Sequence, residues 1–158
     1  MVLFFFAICV VLKVYKIRKC LSYFLYLKVH FWLTLNTAGL RKKGLSVPGS
    51  LLNIDLIADH PLTLGMKKKA QVFSRGRPVF GTWVPYFDMD RRVIGTFDEE
   101  EVLASGFVDE GELLEGKSAM VWAKKGRGQF VFYGFYPQFR ASTAGTYKLL
   151  FNALLLNK

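Results

Sequence analysis

Gly126-Arg127-Gly128-Gln129-Phe130-Val131-Phe132-Tyr133-Gly134-Phe135-Tyr136-Pro137-Gln138-Phe139-Arg140, followed by Ala141 to Leu156, is the stretch on which the architecture turns. A glycine turn feeds an apolar strand, a polar loop follows, and an almost wholly apolar helix comes after it. Read as one strand-loop-helix unit, it predicts a layered α/β domain with the loop placed where such folds keep their chemistry. The loop holds no nucleophile, no histidine and no paired carboxylates.

Upstream, Ser118 to Ala123 and Gln129 to Gly134 flank Lys124-Lys125-Gly126-Arg127-Gly128, a hairpin connection. The second of these strands is apolar on both faces, which places it inside a sheet. Ser142 or Thr143 is the expected N-cap of the following helix. Tyr147, Leu150, Phe151 and Leu154 are its expected core stripe, with Lys148 and Asn152 on a thin wet face. Leu51 to Ile57 alternates with strand period after the turn Val47-Pro48-Gly49-Ser50. Ala70 to Phe73, Pro78 to Trp83, Arg92 to Phe97 and Val102 to Val108 read as further strands. Leu113 and Leu114 are expected to tuck inward from the polar connection Glu110 to Gly116.

The 158 residues suffice for one domain with a modest core. Net charge is +10, but residues 1–45 hold eight Lys/Arg and no Asp or Glu, whereas residues 46–158 hold fourteen against twelve. The basic balance thus belongs to the N-terminal segment. With only +2 on the remainder, nucleic acid is not an expected partner. Lys67-Lys68-Lys69, Arg75, Arg77, Arg91 and Arg92 read as a solvated edge beside the acidic run Asp98 to Glu101.

Residues 1–45 form an apolar, basic segment distinct from 46–158. Val2 to Leu12 is uninterrupted, and Cys20 to Leu35 is broken by Lys28 and His30. Neither run reaches the roughly 20 clean residues of a spanning helix. Positive charges before the apolar run and a small-residue cleavage site are both lacking, which argues against a secretory signal. An anchor with a basic cytoplasmic flank, a stretch lying on a bilayer through residues 1–35, or residues read upstream of a truncated frame all fit. The abrupt compositional shift near residue 45 favours the last. The sequence does not fix a location; a membrane-associated and a secreted or periplasmic one both stay open.

Cys9 and Cys20 both lie in this segment, and no Cys/His spacing suits a metal. His60, before Pro61, has no cysteine or acid in pattern and reads as structural. Trp83, Tyr86 and Phe87 around Pro85 read as packing residues or as the face toward a partner domain.

Taken together, Val47-Pro48-Gly49-Ser50-Leu51-Leu52, Asp59-His60-Pro61-Leu62 with Gly65-Met66, Gly128 to Phe135, Pro137-Gln138-Phe139-Arg140 and Gly145 to Leu154 resemble a known domain. It is the C-terminal, class I glutamine amidotransferase-like domain of a subgroup of bacterial zinc carboxypeptidases, the carboxypeptidase A-like metallopeptidases. The resemblance covers about residues 45–157. It implies a flavodoxin- or amidotransferase-like α/β sheet, incomplete here, and an accessory role beside a peptidase domain whose cofactor is zinc.

The departures are chemical. His30 precedes Phe31-Trp32-Leu33 and His60 precedes Pro61-Leu62-Thr63, so neither supplies the His-x-x-Glu pair of a zinc peptidase. Tyr136-Pro137-Gln138 stands where an amidotransferase has its histidine, proline and glutamate, and both cysteines lie outside the domain. The expectation is a chain with no catalytic set and no metal of its own. An alternative is a membrane-tethered module that binds a small anion. Arg140 suits a carboxylate or phosphate, with Gln138, Ser142 and Thr143 beside it.

Overall fold

A computed structural model describes residues 33–35, 37–76, 79–82, 89–126 and 128–156. The expectations for Cys9, Cys20, His30, Arg77, Trp83, Tyr86 and Phe87 lie outside the described residues, as does the character of residues 1–32.

The described residues form eight strands and two α-helices, with short 3₁₀ turns among them. The strands are β1 (Leu33–Leu35), β2 (Ser50–Leu56), β3 (Lys69–Ser74), β4 (Phe80–Thr82), β5 (Met89–Phe97), β6 (Leu103–Ser105), β7 (Ser118–Lys125) and β8 (Gly128–Tyr133). Helix α1 (Thr37–Lys42) follows β1, and α2 (Tyr147–Leu155) follows β8. The order across the sheet is β1-β4-β7-β5-β2-β3, with β8 also on β7 and β6 also on β2.

Every described pairing is antiparallel. The sheet curls into a half-barrel with the short helix α2 against it. The expected sheet with a helix after its last strand is present, but flavodoxin-like layering is not what these residues show. The reason lies in the connections. Parallel neighbours need a crossover of a dozen or more residues, usually helical. Here β7 and β8 are joined by two residues, and among the described residues no α-helix lies between β2 and β8. One strand-loop-helix unit was too little to fix strand direction.

The strand period shows directly in β2, where Ser50, Leu52, Ile54 and Leu56 are buried and Leu51, Asn53 and Asp55 lie on the less covered face. The curl is helped at β5, whose register against β7 shifts on either side of Gly95. A side chain there would start 3.1 Å from Leu56 Cδ2, so glycine lets β5 and β2 close together.

The main core gathers Leu52, Ile54, Ile94, Phe97, Met120, Val131 and Tyr133 from the sheet with Leu62, Leu149 and Ala153. Leu40 and Leu45 belong to it too, so the packed unit includes residues before 46. Alternation along β7 and β8 sends Val121, Ala123 and Phe132 to the opposite face, where they pack with Phe80. The two-faced apolarity of Phe130 to Tyr133 is therefore real. Yet β8 pairs only with β7 among the described residues, whereas the pattern placed it inside the sheet.

Helix α2 corrects two expectations. The expected cap Thr143 holds the N-cap position of the 3₁₀ turn Ala144–Thr146 that runs into α2, but neither it nor the helical Thr146 makes a side-chain cap bond. The buried residues of α2 are Leu149 and Ala153, while Phe151 and Leu154 are exposed. Polar anchors set this rotation. The Tyr133 hydroxyl donates to Leu149 O at 3.1 Å. The Asn152 amide donates to Leu62 O at 2.9 Å and to Leu64 O at 3.0 Å. Gln129 Nε2 donates to Leu156 O at 3.3 Å. An almost uniformly apolar helix has no unique greasy stripe, so these bonds choose its face.

Candidate functional site

The loop from Gly134 to Thr146 leaves β8 and lies against the end of β3. Tyr136 N–H donates to Phe73 O at 2.9 Å, an isolated bridge that ties the loop to the sheet. Phe139 stacks on Phe73 with centroids 4.2 Å apart and planes within 4°. Tyr136 leans on Phe139 at 5.8 Å. The loop then reverses through Arg140 and Ala141, both left-handed at φ 47° and 57°. Two consecutive non-glycine residues in that region are costly and need local support. Ser142 supplies it: its N–H and its hydroxyl both donate to Phe139 O, at 2.9 and 2.8 Å.

The four expected ligand residues therefore share one loop and divide into two pairs. Gln138 and Arg140 are exposed, and the Arg140 guanidinium sits 5.6 Å from the Phe139 ring centroid, a cation–π contact. Ser142 and Thr143 are used by the loop itself. Thr143 is buried, and its hydroxyl lies 3.0 Å from that of Thr146. Thr146 Oγ1 is 2.7 Å from both Pro137 O and Thr143 O. One hydroxyl proton serves these two carbonyls, which leaves the Thr143 proton to donate to Thr146. What faces solvent is an amide and a guanidinium on an aromatic stack, suited to a planar anion in an open contact.

His60 has a structural task. It caps the turn Pro61–Thr63, with Nδ1 accepting Leu62 N–H at 3.2 Å and its carbonyl accepting from Thr63 N–H and hydroxyl. Its ring lies 5.1 Å from that of Trp122. Burial lowers its pKa below the ordinary 6.5, and the Arg92 charge adds to this against Asp59 and Asp90. With Nδ1 occupied by the cap, the neutral ring carries its proton on Nε2, an arrangement that serves the turn and not a zinc ion. No three His, Cys, Asp or Glu side chains gather for a metal among the described residues.

The basic residues are dispersed. Lys69 pairs with Asp98 at 2.6 Å, Arg92 pairs with Asp59, and Arg91 donates to the Thr82 hydroxyl. Lys67, Lys68 and Arg75 remain exposed.

One place escaped the sequence reading. Beside the paired ends of β2 and β5, a concavity of about 410 Å³ is lined by Asp55, Leu56, Ile57, Lys68 and the stretch Val93 to Thr96. The Oδ1 atom of Asp55 is buried there without a hydrogen-bond partner among the described residues. The available signal was a lone acid inside an otherwise apolar-alternating strand.

No family model matches the chain, and neither a curated protein nor a solved structure matches it. No helix of the described residues is long and apolar enough to cross a membrane.

Proposed function

We propose that the chain is a non-catalytic accessory module, of the kind its sequence resembles beside the peptidase domain of a bacterial zinc carboxypeptidase. The peptidase domain would be its partner, and zinc would belong to that domain. The supporting observation is how the landmark residues are spent. His60 caps a turn, Tyr136 ties the loop to β3, and Ser142, Thr143 and Thr146 close the loop. The His60 ring and the three hydroxyls are thus engaged in holding backbone and one another. The amidotransferase-like affiliation rests on the sequence landmarks alone, and the antiparallel sheet weighs against a doubly wound layering.

Sequencing the DNA 5′ of the Met1 codon tests the proposal. A stretch encoding His-x-x-Glu and a later His, in frame or shifted, is the expected outcome; its absence counts against a peptidase parent. Zinc-dependent release of C-terminal residues from peptides by the purified chain would overturn the non-catalytic reading.

The exposed Arg140 favours a second reading, a small-anion contact at Gln138 and Arg140 within a membrane-tethered module. Titration with inorganic phosphate, followed by NMR shifts of residues 138–143, tests it. Arg140→Ala should abolish those shifts, and their absence from the wild type removes the reading.

A further inference from the structure

Six large apolar residues are well exposed among the described residues, and four of them lie together. Phe151 (58%), Leu155 (54%) and Leu154 (43%) line the side of α2 turned away from Leu149 and Ala153. Leu64 (75%) stands beside them, because its carbonyl accepts from Asn152 and the next carbonyl, Gly65 O, accepts from Lys148 Nζ at 3.1 Å. Neighbours on a helix lie three and four positions apart, so Lys148, Phe151 and Leu155 form one continuous strip.

The sequence segments that carry this strip are rich in bases, while the acids Asp59 and Asp90 lie toward His60 at the start of the turn. Residues 116–158 hold seven Lys/Arg and no Asp or Glu. The segment 60–69, which carries Leu64, holds Lys67, Lys68 and Lys69 and no acid. A contiguous apolar surface of this kind marks an interaction site. A protein partner would be held by directional bonds, about one per 100–200 Å² of interface. The strip offers none apart from the Lys148 ammonium. Apolar side chains that protrude from a basic surround, without directional groups, match the interface of an anionic bilayer.

We propose that the face formed by Leu64, Phe151, Leu154 and Leu155, with Lys67, Lys68 and Lys148 around it, docks on the surface of an anionic phospholipid membrane. This surface is built from residues outside 1–35 and does not depend on the accessory-module reading.

The test is co-sedimentation of the full chain with phosphatidylcholine vesicles, with and without phosphatidylglycerol. Partitioning should be about a hundredfold weaker on the neutral vesicles and should fall with salt. Phe151→Asp with Leu155→Asp should weaken binding to the anionic vesicles about tenfold or more. Phe4→Asp with Phe5→Asp, in the full chain, controls for the N-terminal run. Hydrogen exchange on the wild type avoids any folding defect of the variants. On adding anionic vesicles, protection should rise over residues 61–69 and 147–156. Three results would overturn the proposal: equal binding to both vesicle types, protection confined to residues 1–32, or a lipid-free dimer abolished by the α2 substitutions.

Discussion

Asp98 closes β5 with its carboxylate turned inward, where most acids of this chain face water. Its Oδ1 accepts from Glu100 N–H at 2.9 Å and Glu101 N–H at 3.1 Å, and its Oδ2 meets Lys69 at 2.6 Å. The Lys69 contact first, then the two N–H groups, hold its pKa down to about 2 against an ordinary 3.8. A carboxyl depressed on folding contributes stability that is complete above the unfolded value, about pH 4, and is lost as pH falls toward about 2. Asp98→Ala should therefore cost about 1–3 kcal/mol at neutral pH, read from urea unfolding, and should flatten the acid limb of the stability profile. Wild-type steepness retained in the variant would assign that limb elsewhere. Gly106 makes a second residue-scale prediction. It sits at φ +103°, and an added Cβ would lie 2.9 Å from Ser50 Oγ and 3.2 Å from Ser50 Cα. That same Oγ accepts from Phe107 N–H at 3.1 Å. Gly106→Ala should lower stability by about 2 kcal/mol or more, with the β2–β6 amides losing exchange protection first.

At the scale of elements, α2 is the most informative. Its grip on the sheet depends on a few polar bonds, so Asn152→Ala should destabilise by about 1–2 kcal/mol while burying no less apolar surface. Tyr133→Phe should cost about 1 kcal/mol through the lost bond to Leu149 O. Burial raises the pKa of that phenol, so its absorbance should not titrate before the fold opens. Early phenolate formation in the native protein would contradict this. The existence of α2 was legible from its composition, but its rotation was not. Leu149, Leu150, Phe151, Leu154 and Leu155 are interchangeable on hydrophobic grounds, and the deciding bonds reach Leu62 and Tyr133. The β7–β8 hairpin was legible because turn chemistry and strand pattern are local. The 3₁₀ turn Ala144–Thr146 ahead of α2 was not legible, because it moves the start of the helix beyond Thr143. Nor did the loop show from sequence that the Ser142 and Thr143 hydroxyls are consumed internally.

Across the whole molecule, acid is the weak side. His60 is lowered below 6.5 by burial and by Arg92, so its neutral form is favoured in the folded state. A histidine depressed in this way contributes stability that is full above about pH 6.5 and lost as pH falls below it. Stability should thus decline in two stages, one below about pH 6.5 and one below about pH 4. His60→Gln should remove the first stage alone, checked by thermal unfolding from pH 7.5 to 5. Strand direction was not legible at this scale. Seven strand-like runs against one helix, joined by short connections, point to antiparallel pairing once counted together. The weight given to the single strand-loop-helix unit obscured it. Residues 33–45 were likewise set apart by composition, yet Leu40 and Leu45 are buried in the core.

The bond from Asn152 to the Leu62 carbonyl spans 90 positions of the chain. Ribosomes add about 5–20 residues per second, so on the order of ten seconds separate the synthesis of the acceptor from that of its donor. Throughout that interval the carbonyls of Leu62 and Leu64 bond to water, and the hollow that takes Leu149 and Ala153 stays open on the growing sheet. The nascent chain thus shows chaperones a greasy socket whose own plug has yet to be translated.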